Sequence, residues 1–482
     1  MIKNLASQTS WYFIVHVFAT IVGLITFPIW TRYFTVEEYG MIVFINSVLF
    51  FIGPVAKAGL HRAVVRFFSE FSSGKRSLPM SSYYTTFPIG AFVFSAFIGI
   101  IFLSIILILG PELMGEQMYD IFKITSVLVI LGPIPAIFLS TLRAEQKVKF
   151  FAAFKFSEIC IGFVLSLVLV FVFSAGVKGI FLAAALTQIF WVSIIFLILK
   201  KQKKLIFSAF SLGLLVEGFR FGLPLIPAEL GNQLSSIGDR YVLQFFLGSQ
   251  AVGLYAVGYG LTNRLKALAT VMMIAVTPIY LDIWGKSGRE KTEEFLSSVL
   301  DYYLMVAIPG IILFSVFGGD MMILLASSKY EAARVIVPFL AAPLLLHGAI
   351  TIYTAGLYIH KKTKLIMLVT LCSGILNFIL NIIFVPLMGI LGAAIATLIS
   401  YLVLIFLANF LSAKYLTIHL NYSGLIKYIA ASVMAVILLH FINFEIFFGV
   451  LIKLAIGVLI YSATILLIDS RIREKIRMAF KF

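Results

Sequence analysis

The sequence predicts an all-α polytopic membrane protein of about 14 transmembrane helices. It is organised as two six-helix lobes in a parallel pseudo-two-fold repeat, followed by two C-terminal helices. Three observations predict this. First, 61% of the 482 residues are hydrophobic, 12% are charged and the mean hydropathy is +1.08, whereas soluble domains are about half apolar and about a quarter charged. Second, apolar runs of about 20 residues, the length that crosses a hydrocarbon core, recur along the chain. Third, one constant offset in the sequence, that from Gly40 to Gly253, relates the first half of the chain to the second.

Charged or turn-rich breaks delimit the spans in order. The first (11–31) starts at Trp11 and runs to Arg32; it is too long for a signal-peptide core and no small-residue cleavage site follows, so it reads as a retained span. The second (41–60) follows the turn FTVEEYG and ends among Lys57 and Arg62. A polar connection, 61–82, leads to the third (83–109), which stops at Gly110 and Pro111. The fourth (121–142) ends at Arg143, the fifth (153–173) at the Ser174–Gly176 turn, and the sixth (179–199) at the KKQKK run. The seventh (217–246) carries Pro224 and Pro227, which predict a kink. The turn FLGSQAVG precedes the eighth (253–281), and 298–318, 332–359, 365–385 and 391–411 complete the twelve. The last two, 425–442 and 446–468, precede a basic tail. The resulting segments are 1–204, 205–415 and 416–482.

Basic residues alternate between connections. Lys3, the connections at 62–76, 143–155, 200–204, 286–291, 361–364 and 414–427, and the tail from Arg471 hold 26 of the 37 Lys and Arg. That bias places both termini in the cytoplasm and explains the net charge of +16. Charges spread over alternate short loops point to topology determinants and contacts with anionic membrane lipids, not to nucleic acid. The chain has no GxxxxGKS/T phosphate loop, no HExxH and no metal-spaced His/Cys cluster, so the sequence predicts neither an enzyme nor a cofactor or metal site. Cys160 and Cys372 fall within spans and read as inert core thiols.

The repeat rests on pairs that share this one offset: Gly40 with Gly253, Gly176 with Gly389, Gly179 with Gly392, Thr141 with Thr354 and Lys149 with Lys362. Six spans separate partners, an even number, so both copies have the same orientation. The register maps Asp239 and Arg240 onto Thr26 and Phe27, inside the first span, and Arg264 and Lys266 onto Phe51 and Gly53, inside the second. Charges at membrane depth cost about 2.5–3.5 kcal/mol each on insertion scales and are retained facing a partner or a wet cavity. Asp239 offsets one base, and the surplus favours an anionic ligand; simple neutralisation between packed helices is the alternative. Glu229 and Asp239 are candidate proton or ion-coupling groups. Lys57 and Arg32 are further candidate anion contacts. Glu217 with Arg220 and Glu158 with Lys155 read as local pairs, and His16, His347 and His440 as interhelical hydrogen-bonders.

The segments TRYFTVEEYGMIVF, KAGLHRAVVRFF, FRFGLPLIPAEL, GDRYVLQFFLGSQAVGLYAVGYGL and GILGAAIATLISY resemble the polysaccharide transporters, the Wzx-like O-antigen and oligosaccharide flippases. These belong to the MOP (multidrug/oligosaccharidyl-lipid/polysaccharide) exporter superfamily, with the multidrug and toxin extrusion (MATE) transporters and the lipid II flippase. The resemblance covers essentially the whole chain. It implies a central basic cavity and alternating access. It also implies a substrate, an oligosaccharide on undecaprenyl pyrophosphate for O-antigen, capsule or exopolysaccharide, moved from the cytoplasmic to the outer leaflet of a bacterial inner membrane. A polysaccharide polymerase and chain-length machinery are the implied partners. Arg holds phosphate oxygens with a bidentate fork and Lys acts as a point charge, so the resemblance carries substrate contacts onto Asp239, Arg240, Arg264 and Lys266. A lipid II-type flippase is an alternative. A drug/cation antiporter fits less well, since the first span holds no Asp or Glu, and a polymerase or ligase lacks its long periplasmic loop.

Overall fold

The computed structural model describes the backbone of residues 2–442 and 449–479, and side chains in those stretches apart from 2–10, 264–272, 274–275 and 475–479. Every regular element among the described residues is helical. The chain opens with α1 (Ile2–Tyr33), α2 (Val36–Lys57), α3 (Leu60–Ser72), α4 (Met80–Met114), α5 (Glu116–Leu131) and α6 (Pro133–Ala144). It continues with α7 (Val148–Leu167), α8 (Gly176–Lys201), α9 (Leu212–Gly222) and the long α10 (Ile226–Leu325). The short α11 (Val337–Leu345), α12 (His347–Tyr353) and α13 (Ala355–Ile359) follow. The chain ends with α14 (Thr363–Met388), α15 (Ile390–Ala413), α16 (Tyr422–His440), α17 (Gly449–Ile468) and α18 (Ser470–Ala479).

Thirteen described helical runs are long and apolar enough to cross a membrane. Two of them, Leu212–Asn263 and Val276–Leu325, belong largely to α10, where Gly248 (φ 76°) and Gly288 (φ 75°) leave the helical region. Only glycine adopts such a backbone without strain, so α10 is three helices, 226–247, 249–287 and 289–325. Counted that way the runs number fourteen, as the sequence predicts. Outward-facing side chains such as Phe97, Ile100 and Ile108 on α4 and Phe406 and Phe410 on α15 are large and apolar. An exposed apolar surface of that extent is what hydrocarbon solvates.

The chain divides into two compact units. One comprises Met1–Phe34 and Met41–Leu234; the other comprises Thr35–Gly40 and Ser235–Phe482. In the first, Leu60, Phe67, Phe71, Tyr83, Phe87, Ile137 and Phe154 form the buried core. In the second, Leu296, Leu300, Tyr303, Ile352 and Leu416 do so, and α16 and α17 pack beside them through Tyr428, Ala435, Tyr461 and Ile465.

The repeat register has physical counterparts. Gly176 (φ 56°) and Gly389 (φ 63°) both take the left-handed turn that starts a helix. In the first unit the Ile206 N–H donates to Thr85 Oγ1 at 3.0 Å. In the second the N–H of His419, the register partner of Ile206, donates to Ser297 Oγ at 3.0 Å. Each hydroxyl thereby ties down the extended segment that leaves a sixth helix. Gly40 and Gly253 meet one another within the second unit. A Cβ on Gly40 would stand 1.7 Å from the Ser249 carbonyl oxygen, and one on Gly253 would stand 2.1 Å from that of Val36. Backbone touches backbone there, and no other residue fits.

Three details depart from the sequence reading. The connection 61–82 contains a packed helix, α3, whose buried Leu60, Ala63, Val64, Phe67 and Phe71 follow helical spacing between charged positions. Cys160 and Cys372 lie in helices but are exposed, on faces turned away from the protein, and are not core thiols. Glu217 pairs with Arg76 at 2.7 Å, not with Arg220, because the turn after α3 brings Arg76 between Glu217 and Glu70 and over the Phe67 ring. The predicted kink is present: the 3₁₀ turn Leu223–Leu225, carrying Pro224, separates α9 from α10.

Candidate functional site

Asp239 and Arg240 lie in the first helix of α10, where their accessibilities are 5% and 8%. A helical side chain leans back over the preceding turn. The Arg240 guanidinium accordingly donates through Nη1 to Asp239 Oδ1 at 2.9 Å and to the Ser236 carbonyl at 3.0 Å. Its Cζ sits 4.7 Å from the centre of the Tyr259 ring. The Tyr255 hydroxyl is 3.3 Å from Thr397 Oγ1, and Asn377 Nδ2 reaches the same oxygen at 3.4 Å. Asn381 Nδ2 donates to the Asn377 carbonyl at 2.8 Å. Tyr255 is also within hydrogen-bonding reach of Asp239, so the pair is one end of a polar network joining α10 to α14 and α15. A charge pair out of water needs partners for its donors and acceptors, and Nη1 of Arg240 finds two, Asp239 Oδ1 and the Ser236 carbonyl.

A second set of charges lies in the first unit. Lys57 ends α2, within electrostatic reach of Glu229, Arg62 and Lys155. Arg62 Nη2 is 3.7 Å from Glu229 Oε2 and its side chain is 50% exposed. Lys155 holds Glu158 at 2.6 Å, the local pair the spacing predicts. His61 lies in the field of Lys57, Arg62 and Arg143. Lys57, Arg62, Arg143 and Lys155 outnumber Glu158 and Glu229, so this face carries surplus positive charge. A left-handed turn at Ala58 and Gly59 sets its geometry: a Cβ on Gly59 would stand 2.3 Å from the Gly222 carbonyl oxygen of α9.

Each predicted position can now be placed. Asp239 and Arg240 are together, buried and paired with each other. Lys57 and Glu229 are together in the first unit. Arg32 is exposed in the last turn of α1. The side chains of Arg264 and Lys266 lie outside the described residues; their backbone is in the 249–287 helix. Sequence reasoning missed Arg62 as the partner of Glu229, and Tyr255, Tyr259, Asn377 and Thr397 around the buried pair. Asn377 and Asn381, one turn apart in an otherwise apolar span, were the available signal.

The fold defines the class first. The structure of "Lipid II flippase MurJ, inward closed conformation" superposes with a TM-score of 0.64 at 18% identity, over 94% of this chain and 98% of that one. An inward-facing MATE multidrug resistance transporter of the MOP superfamily gives a TM-score of 0.66 at 16% identity, over 82% and 94%. The chain has the MOP exporter fold. The model of the family described as "Polysaccharide biosynthesis protein" matches residues 5–284, more than half of the chain. The chain belongs to that family. Among its relatives is the "Probable low-salt glycan biosynthesis flippase Agl15" of Haloferax volcanii, 25% identical over 267 residues, covering 53% of this chain and 55% of that protein. The chain spans about half the length of the curated relatives it matches.

Proposed function

We propose that the protein is a flippase for a lipid-linked oligosaccharide, carried on undecaprenyl pyrophosphate, moving its head from the cytoplasmic to the outer leaflet by alternating access. The observation that carries this reading is membership of a polysaccharide biosynthesis family on a MOP exporter fold. The charge surplus around Lys57 and Arg62 supports an anionic head group. A substrate phosphate needs accessible bases, and the half-exposed Arg62 and the adjacent Lys57 meet that requirement better than Arg240. In this reading Lys57 and Arg62 contact the pyrophosphate. Arg32, Arg264 and Lys266 are further candidate contacts. Asp239 and Arg240 position the helix that leads to Arg264. Glu229, held by Arg62, is the candidate coupling carboxylate. Polymerase and chain-length proteins are the expected downstream partners, in the bacterial inner membrane.

The test is reconstitution of the full chain into vesicles that contain a fluorescent undecaprenyl-pyrophosphate oligosaccharide, followed by leaflet-specific oxidation of the sugar. Wild-type protein should expose the inner-leaflet pool to the oxidant, and Arg62→Ala should not. Equal protection with and without protein would overturn the proposal. Movement of lipid II alone would replace the substrate by that of the related flippase.

A further inference from the structure

A cavity of about 260 Å³ lies in the first unit, apart from the Lys57–Glu229 cluster. It sits between the start of α4, the end of α6, the start of α7 and the end of α8. Phe87, Ile134, Phe138, Leu142, Ile195 and Leu199 wall its apolar part. Its polar end is built on Glu145, which accepts hydrogen bonds from Lys147 at 2.5 Å, from Lys204 at 3.0 Å and from the Tyr84 hydroxyl. Lys204 also stands over the Tyr84 ring, 4.1 Å from its centre. Burial acts to raise the Glu145 pKa, but the hydrogen bonds from Lys147, Tyr84 and Lys204 outweigh it and hold the carboxyl below its usual value. One buried carboxylate thus faces two ammonium groups, leaving a surplus positive charge beside an unfilled apolar space. Phe150, which also lines the cavity, is 44% exposed, so the cavity lies against the protein surface.

We propose that this cavity is a binding site for an anionic membrane lipid, with its phosphate at Lys147 and Lys204 and one acyl chain against the apolar wall. Charge complementarity selects the occupant. Lys147 is half exposed and has donors left after Glu145, and a lipid with a net negative head completes the charge balance. A zwitterionic head would bring its own cation against the two lysines. The chain that follows Lys204 is tied to α4 by the Ile206 and Ser211 N–H groups, which donate to Thr85 and Thr86 hydroxyls at 3.0 Å each. A lipid bound here therefore braces the segment that leads into α9.

Native mass spectrometry of the purified full chain, exchanged into phosphatidylglycerol or phosphatidylcholine, tests the site. Wild-type protein should retain one phosphatidylglycerol roughly tenfold more strongly than phosphatidylcholine. Lys147→Gln, a change at a half-exposed side chain, and Ile198→Trp, which adds bulk at a residue lining the cavity, should each remove that preference while the melting temperature in detergent stays within a few degrees. Equal retention of both lipids overturns the proposal. So does undiminished phosphatidylglycerol retention in both variants. Displacement of the lipid by millimolar inorganic phosphate alone would make this a free-anion site and overturn the lipid assignment.

Discussion

Asp239 and Arg240 are neighbours whose side chains leave a helix about 100° apart. They pair because the arginine is long enough to fold back over the preceding turn. Removing one partner leaves the other buried and uncompensated, so Asp239→Ala should cost about 3–5 kcal/mol. The neutral double variant Asp239→Asn with Arg240→Gln should cost less, since no bare charge remains. Melting of the three proteins in detergent checks this ordering, and a double variant less stable than the single one would refute the assignment. Arg62 differs in kind. Its ion pair is half exposed and long at 3.7 Å, worth about 1 kcal/mol at most. Arg62→Ala should abolish transport with its melting temperature nearly unchanged, and unimpaired transport would remove Arg62 from the site. The DR dipeptide was legible as unusual. Its burial was not, because a repeat register gives depth in the membrane but not the face of the helix.

At the scale of elements, the repeat-related Gly40 and Gly253 let backbone meet backbone within the second unit. Gly40→Ala would place a methyl 1.7 Å from the Ser249 carbonyl oxygen, forcing the 35–40 segment away from the start of the 249–287 helix at a cost of about 1–3 kcal/mol. Gly23→Ala, where no atom stands within 4 Å, should be neutral or slightly stabilising. Expression level and melting temperature of the two variants should therefore move in different directions. Equal behaviour would show that the 35–40 segment yields without cost. The glycine pair was visible in sequence only as two copies of one turn; that the copies touch each other is a tertiary fact. The helix α3 was missed for a different reason. Its charged face matched the expected loop, and its apolar positions show only when read at helical spacing.

At the scale of the whole molecule, fourteen apolar helical runs among the described residues, an even number, predict both termini on one side of the membrane if each run crosses it. Reporter fusions after Lys201 and after Ser174 should give opposite signals, and matching signals would break the count. Within the second unit the C-terminal helices are tied to the 289–325 helix through Tyr428 and Asn421, which donate to Asp301 at 3.0 and 2.9 Å. Asp469 ties their ends together. A hydrogen bond from Arg471 lowers its pKa to about 2, and Lys427 adds to the effect. The folded pKa lies below the unfolded value of about 3.9, so this stabilisation is present above pH of about 4 and is lost as the pH falls toward 2. The melting difference between wild type and Asp469→Asn should accordingly be full at pH 7, shrink below pH of about 4 and disappear only below the folded pKa of about 2. A difference independent of pH would place the effect elsewhere.

Helix number, basic-side bias and the doubled architecture were determined by the sequence itself. Hydropathy over about 20 residues is a one-dimensional property set by the thickness of the bilayer, and the repeat survives as spacing. Which charges pair, and which remain accessible, was decided only by the tertiary structure. Arg76 reaches Glu217, Arg62 reaches Glu229, and Arg240 turns inward onto Asp239 and Tyr259. Long side chains choose partners by the facing of packed helices, and a residue's depth in the membrane does not fix the direction in which it points.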